Sequence, residues 1–457
     1  MIALESLTSC YQGIIPSWLC TCSAAGEPNC AILSNVDYVD SRHVALSFQF
    51  FNKSKRNIVE NPHAVVRMID PDTLRGYRLT LRYVRTETSG PVFESMRLRI
   101  EAIASYSGLK GIFKLLGADI YEVLASEHIA YEVGLPREPQ PAAGATGLTF
   151  TMKALQEFGA SIHDAPTLDC MLDSILATLE RVFGFRNSMI LLASDTPERL
   201  ELIASRGYPE GGVGSEVTYG EGIIGMVAEA RQPIRITGMM RQMLYADAVR
   251  RRAQEHGLCP DDRRIPLPGL PAPEFQIGIP LLARGELVGV LCIETDRSYR
   301  FFEEDRSYLE VLGGFMAIAI QNALLHERAD DGDAPLPGDV APAAPAAPAA
   351  RQRIQVEWFA ADECILVDGE YLVRGLPARI LRKLLREHAE TGGNEFTNRR
   401  LRLDRSLQLP ELKDNLESRL ILLRRRLDEK CPDVRMVPTS RGRFALQVEA
   451  AIDLVER

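Results

Sequence analysis

The stretch Leu409–Lys430, LPELKDNLESRLILLRRRLDEK, followed by Val434–Val448, VRMVPTSRGRFALQV, decides how this chain is read. Pro410 suits a first helical turn, where a missing N–H costs nothing. Leu412, Leu416, Leu420, Leu423 and Leu427 then recur at steps of four and three, which makes one apolar stripe of a helix. Lys413, Arg419, Arg425 and Arg426 lie largely off that stripe. After a short link, two runs of strand composition flank Arg441-Gly442-Arg443, where Gly442 can take a positive φ; a hairpin with a cationic tip is predicted. A helix beside a basic hairpin suits duplex DNA, the tip arginines meeting phosphates or a minor groove and the helix meeting base edges.

Outward from that core come an opening run of strand composition (IQVEWFAADECILVDGEYLVRG, from Ile354), a helix (PARILRKLLREHAETGG) and a shorter one (NRRLRLD). Over Ile354–Val448 the pattern resembles the C-terminal DNA-binding domain of OmpR-type response regulators. The resemblance implies a winged helix-turn-helix over residues 353–457 with double-stranded DNA as its partner. The residues expected to touch DNA are Asn415, Ser418, Arg419, Arg424, Arg425, Arg441 and Arg443. One departure matters: the family usually carries basic or polar side chains where this chain has Ile421 and Leu422, so base reading falls to Asn415, Ser418 and Arg419. The competing reading is a small interaction module whose arginines are merely solvated. No receiver domain is legible ahead of this block, so the resemblance does not imply phosphorelay control.

Charge is distributed in keeping with DNA binding. The chain carries −9, residues 351–457 hold 21 basic and 18 acidic side chains (+3), and residues 1–350 therefore carry −12. A basic block behind an acidic body favours local phosphate contact, and so small an excess calls for a homodimer. Length predicts about three domains. Residues 328–352 read as a linker around DDGDAPLPGDVAPAAPAAPAA, and PREPQPAAGATG (136–147) marks a weaker break. No run of about 18 apolar residues is evident and the N-terminus lacks a basic n-region, so neither a membrane span nor a signal peptide is expected and the chain reads as cytoplasmic. Nine cysteines spread through every block do not make a secreted disulfide framework.

Within residues 1–135, Trp18–Cys22 and Cys30–Val36 flank a turn-rich link and predict a hairpin. Val44–Phe51, Tyr77–Val84 and Asp119–Leu124 add strands, with Tyr77, Leu79, Leu81 and Tyr83 sharing a face, and a helix falls near Glu94–Ser105. SWLCTCSAAGEPNCAIL and VALSFQFFNKSKRNIVENPHAVVRMID resemble the pyridoxamine-5′-phosphate-oxidase-like split barrel. That resemblance implies FMN as a candidate cofactor, with its phosphate held by Asn52, Lys53, Ser54, Lys55 and Asn57. Flavin-binding members also place basic residues at positions that here are Ala31 and Val36, and no complete oxidase site is legible. Cys20 and Cys22 share a strand face, with Cys30 on the partner strand and Cys10 nearby in sequence. Cys10, Cys20, Cys22 and Cys30 are thus candidate ligands for a metal or iron–sulfur cluster, or a redox switch, against plain core packing.

Residues 148–327 open with an amphipathic helix, Leu168–Phe183, and then strands at Ser188–Leu192 and Leu200–Ala204. LIASRGY, YGEGIIGMVAEARQPIRI and IGIPLLARGELVGVLCIET resemble a GAF sensory domain, closed by a helix from Glu303 to Leu325. Its GxGxxG lacks the context of a nucleotide fingerprint. The irregular stretch Met239–Pro273, with Arg250-Arg251-Arg252, His256 and Cys259, is the expected place for a small-molecule effector. The fold class expected is therefore multidomain α+β: split β-barrel, GAF α/β sandwich, winged helix-turn-helix. The expected function is a ligand- or redox-responsive transcription regulator. The alternatives are a flavin-dependent oxidoreductase regulated by its GAF domain, and a haem or iron–sulfur gas sensor.

Overall fold

The computed structural model describes residues 2–457 apart from 13, 14, 16, 34, 49–51, 71–74, 107–114, 130–150, 195, 238–264, 272, 274, 297–302, 331–352, 408, 410–415 and 441. The described chain is a multidomain α+β protein built on four sheets. In the first unit, β1 (Ser17–Cys22), β2 (Pro28–Leu33), β3 (Val36–Asp40), β4 (His43–Phe48), β5 (His63–Ile69), β6 (Gly76–Glu87) and β7 (Gly117–Ile129) form one antiparallel sheet. Its order is β2-β1-β5-β6-β7-β4-β3. Alternation builds it: on β6, Leu79 and Leu81 are fully buried while Arg78 and Arg82 point to solvent. The hairpin at Cys20 and Cys30 forms as expected, but the strand expected to run to Val36 breaks into β2 and β3. NKSKRN, expected to hold a flavin phosphate, begins α1 (Asn52–Glu60), and α2 spans Pro91–Tyr106.

The second unit pairs α3 (Met152–His163) and α4 (Leu168–Phe183) with a six-stranded antiparallel sheet. Its strands are β8 (Asn187–Ala193), β9 (Arg199–Arg206), β10 (Glu216–Thr218), β11 (Ile234–Thr237), β12 (Phe275–Ala283) and β13 (Glu286–Thr295), in the order β10-β9-β8-β13-β12-β11. Thr167 caps α4 by accepting from the Cys170 amide, and Gly184 ends it with φ +76°. One face of the sheet packs against α3, α4 and α6 (Glu303–Asp330); the other packs against α5 (Gly222–Ala230). Gly313 lets α6 lie close on β12, since a Cβ there would come within 2.8 Å of Ile279. Asp305–Leu325, though not an uninterrupted apolar run, is long and apolar enough to cross a membrane by length and composition. Its Leu309, Leu312, Met316 and Ile320 are fully buried against the sheet, so one face of this helix serves a protein core.

In the third unit β14 (Arg353–Phe359), β15 (Cys364–Val367) and β16 (Glu370–Arg374) form an antiparallel meander, joined by β20 (Ala451–Glu456) parallel to β14. Next come α7 (Leu376–Thr391), β17 (Glu395–Thr397), α8 (Asn398–Leu403) and α9 (Leu416–Lys430), then the hairpin β18 (Val434–Ser440) and β19 (Arg443–Val448). Gly442 takes φ +68° at the hairpin tip, as its sequence suggested. Its carbonyl accepts from the Asn398 amide, and Phe396 stacks on Phe444 at 5.8 Å, fixing the hairpin against α8.

The units touch in series. Leu98 on α2 joins the apolar cluster of α5 and β11, and one continuous set of buried side chains runs from α4 into α9.

Candidate functional site

Helix α9 is buried nearly all round. Leu416, Leu420, Leu423 and Leu427 are buried as the stripe predicts, but Ser418, Arg419, Ile421, Leu422 and Arg426 are buried as well. The reason is a second partner: Leu422 lies beside Gly214, and α9 seats against β9 and the start of α4. The Arg419 guanidinium, 3% exposed, pairs with Glu201 on β9. Arg424 and Arg425 both pair with Asp169 in the first turn of α4, and Arg425 also reaches Asp173 at 2.7 Å. Beside them Arg374 at the end of β16 pairs with Glu216, whose carboxylate also accepts from Arg199 at 2.6 Å. Burial opposes ionisation of Glu216, yet the Arg374 and Arg199 guanidiniums hold its carboxyl below the usual range. Arg426 instead donates to the carbonyl oxygens of Leu372 and Tyr371.

In the conformation described, Arg419, Arg424 and Arg425, expected to meet DNA, are instead paired with carboxylates of the second unit, and Ser418 is buried. Asn415 and Arg441 lie outside the described residues. Arg443 is half-buried and, with Asp169, Glu417, Ile421 and Arg424, lines a cavity of about 530 Å³ between α4, α9 and the hairpin. Glu417, half-buried in its wall, accepts from Asn398 Nδ2 at 2.9 Å, and desolvation pushes its carboxyl pKa upward.

The five residues expected to hold a flavin phosphate do not form one cradle. Ser54 and Asn57 are buried and turned inward: Ser54 Oγ accepts from Asn29, and Asn57 donates to Thr21. Lys55 donates to Thr86 and Asp119, its ammonium lying over the rings of Phe48 and Tyr83. That leaves Lys53 exposed on α1, and the Asn52 side chain lies outside the described residues. A phosphate dianion needs donors not already committed, so these residues do not fit the group as expected.

The four-cysteine metal set also fails. Cys10 is buried in the core of the first unit, whereas Cys20 and Cys30 are exposed on the outer face and Cys22 is half-buried there. Among the described residues no three His, Cys, Asp or Glu side chains are placed to hold a metal ion. Arg250–Arg252, His256 and Cys259 lie outside the described residues.

One polar cluster escaped the sequence reading. Glu294, 5% exposed on β13, accepts from Gln276 Nε2 at 2.9 Å, the Leu270 amide at 3.0 Å and Tyr208 Oη at 3.2 Å. It shares the α5 face of the sheet with Cys292 and Gly278. The signal was present: an acidic residue closing the apolar run LVGVLCIET. Burial raises its pKa against the pull of the Leu270 and Tyr208 hydrogen bonds. A carboxyl raised on folding adds stability below its unfolded pKa, and that contribution fades as pH rises through the folded value. Thermal melts of wild type and Glu294→Gln across a pH series test this. The variant should lose about 1–3 kcal/mol, because an amide nitrogen cannot accept all three bonds. The gap between the two should narrow as pH rises; a gap independent of pH refutes the titration.

Residues 165–321 match the family model described as GAF domain, so the chain carries that domain. The GAF domain of an Acinetobacter phosphoenolpyruvate-protein phosphotransferase is 22% identical, covering 37% of this chain and 92% of its own at a TM-score of 0.29. An FMN-binding protein from Syntrophomonas wolfei is 16% identical over 28% of this chain and 88% of its own, at a TM-score of 0.23. HupZ of Group A Streptococcus is 19% identical over 28% of this chain and 94% of its own, at a TM-score of 0.23. No curated protein matches the chain.

Proposed function

We propose that this chain is a DNA-binding transcription regulator whose GAF domain and N-terminal sheet are sensory and dimerisation inputs and whose C-terminal unit is an OmpR-type winged helix. The observation that carries the reading is the docking of α9. A helix followed by a hairpin with a glycine at its basic tip presents Arg419, Arg424 and Arg425 to Glu201, Asp169 and Asp173, carboxylates standing where phosphates would. The docked arrangement is the silent state. An effector that favours the undocked GAF surface frees α9, and the Pro/Ala-rich stretch that follows α6 keeps the released unit at high local concentration.

The regulator acts as a homodimer. Tyr308, Val311, Phe315 and Ile318 recur at three- and four-residue steps along α6 and Leu325 follows seven residues on, each between 40% and 53% exposed, opposite the stripe that packs on the sheet. Asn322 falls at the matching position of the third heptad. A heptad seam with one polar residue is the pattern of a paired coiled coil, and the occupant is a second copy of this helix.

Duplex binding is tested by fluorescence anisotropy of the full chain and of Glu201→Ala on mixed genomic fragments across a salt series. Affinity should fall with salt, and Arg443→Ala should lower the slope of log K on log salt by about 0.9 for each phosphate it no longer neutralises. If neither protein binds any fragment at low salt, the regulator reading fails. Purification with stoichiometric flavin or haem would instead favour the oxidoreductase or gas-sensor reading.

A further inference from the structure

The outer face of the β1–β2 hairpin holds a feature that the regulator reading does not use. Cys20 and Cys30 are direct register partners on antiparallel strands, both exposed, with their Sγ atoms 3.6 Å apart. Cys22 stands two residues on, on the same face. We propose that Cys20 and Cys30 are a redox-active dithiol that closes to a disulfide when a hydroperoxide oxidises one of them.

Geometry supports closure in place. A disulfide needs its sulfurs about 2.05 Å apart and its Cβ atoms about 3.5–4.5 Å apart. Facing residues of an antiparallel pair already hold their Cβ atoms roughly 4.5–5.5 Å apart. Side-chain rotation with a small strand adjustment therefore brings the sulfurs together. Among the described strands β2 lies at the edge of its sheet and pairs with β1 alone, so it has room to make that adjustment.

The hydrogen bond assigns the roles. The Cys20 thiol donates to Cys30 Sγ, which leaves Cys30 as the attacking sulfur and Cys20 as the one that resolves. Burial, and then the contact with Cys30, raises the pKa of Cys20 and keeps its proton in place. Cys30 gives up its proton and attacks the terminal peroxide oxygen: an S–O bond forms, the O–O bond breaks, and the departing oxyanion takes that proton and leaves as water or alcohol. Cys20 sulfur then attacks the sulfenic sulfur; the S–S bond forms, and the expelled hydroxide leaves as water with the Cys20 proton. The peroxide gains the two electrons that the two thiols lose. The bridge would staple the edge strand to β1. Because Asn29, the neighbour of Cys30, donates to Ser54, it would also fix the contact between β2 and α1.

The test uses the full chain, purified reduced under anaerobic conditions and treated with one equivalent of hydrogen peroxide. Intact mass should fall by 2 Da, two thiols should become unreactive to alkylation, and tandem mass spectrometry should place the link between Cys20 and Cys30. Dithiothreitol should restore both thiols. Cys20→Ser should stop at a sulfenic acid on Cys30 that dimedone traps, while Cys30→Ser should form no bridge at residue 20. The proposal is overturned if both thiols of the wild-type protein stay alkylatable after peroxide, or if the link joins Cys22 or a second chain instead. The wild-type mapping stands even if a serine variant does not fold.

Discussion

Glu201→Ala should release the C-terminal unit and tighten duplex binding. Arg419 is 3% exposed and Glu201 14%, so removing the carboxylate strands a guanidinium in a site nearly closed to water. Breaking a buried pair from one side costs about 3–5 kcal/mol. Undocking lets Arg419 regain its hydration, so this cost falls on the docked state and not on the fold of either unit. If docking is worth no more than that, the undocked population rises by roughly a hundredfold or more, and apparent DNA affinity rises with it until undocking is complete. Small-angle scattering should report a larger radius of gyration, and melting of the GAF domain should be little changed. Tighter DNA binding with the larger radius supports docking as the off state. A larger radius with unchanged binding would separate docking from DNA and remove the reason to call it inhibitory.

Glu216 supplies a control that leaves α9 untouched. It pairs with Arg374 on β16, so Glu216→Ala should act in the same direction as Glu201→Ala but more weakly, since its partner is about a third exposed. Its lowered pKa also fixes the sign of an acid effect. The contribution of this pair is present above the free carboxylate pKa and is lost as pH falls through the lowered value, so acid loosens docking at this point.

What the sequence reveals and conceals follows from the range of the interactions. Leu168–Phe183 is legible to the residue because a 3.6-residue apolar period, a threonine cap and a glycine stop all lie within or beside the helix itself. The β12–β13 hairpin is equally local, with Arg284 and Gly285 both at positive φ across its turn. α1 is hidden because Ile58 is the only large apolar side chain it buries, which is too little to show a period. β5 follows it in the same motif without standing out, although every second residue from Ala64 to Met68 is buried. The docking surface of α9 is concealed more deeply. Arg424 meets Asp169 across 255 residues of chain, and no local pattern announces such a pair. Yet one clue is present: Ile421 and Leu422 depart from the polar residues expected of a helix that reads bases. A second apolar face on a helix asks for a second packing partner, and the GAF unit is that partner.

The largest effect on assembly is expected from α6. In the proposed homodimer, Phe315→Glu with Ile318→Glu should leave a monomer. In a symmetric pair these changes remove four large apolar side chains from the seam, each worth about 1.5–3 kcal/mol on burial, and place four carboxylates against one another. The loss of about 6–12 kcal/mol weakens self-association by four orders of magnitude or more. The fold should survive, because Leu309, Leu312, Met316 and Ile320 form the opposite stripe and are unchanged. Light scattering coupled to size exclusion reads the mass, and circular dichroism checks the melt. Asn322→Leu gives an independent check of the seam. A polar side chain at one core position of a coiled coil selects the two-stranded form, so the leucine should admit larger assemblies while raising the melting temperature of the dimer. If wild type and the double variant have the same mass, α6 is not the interface. The weak basic excess of the C-terminal unit would then have to hold DNA without a partner's help.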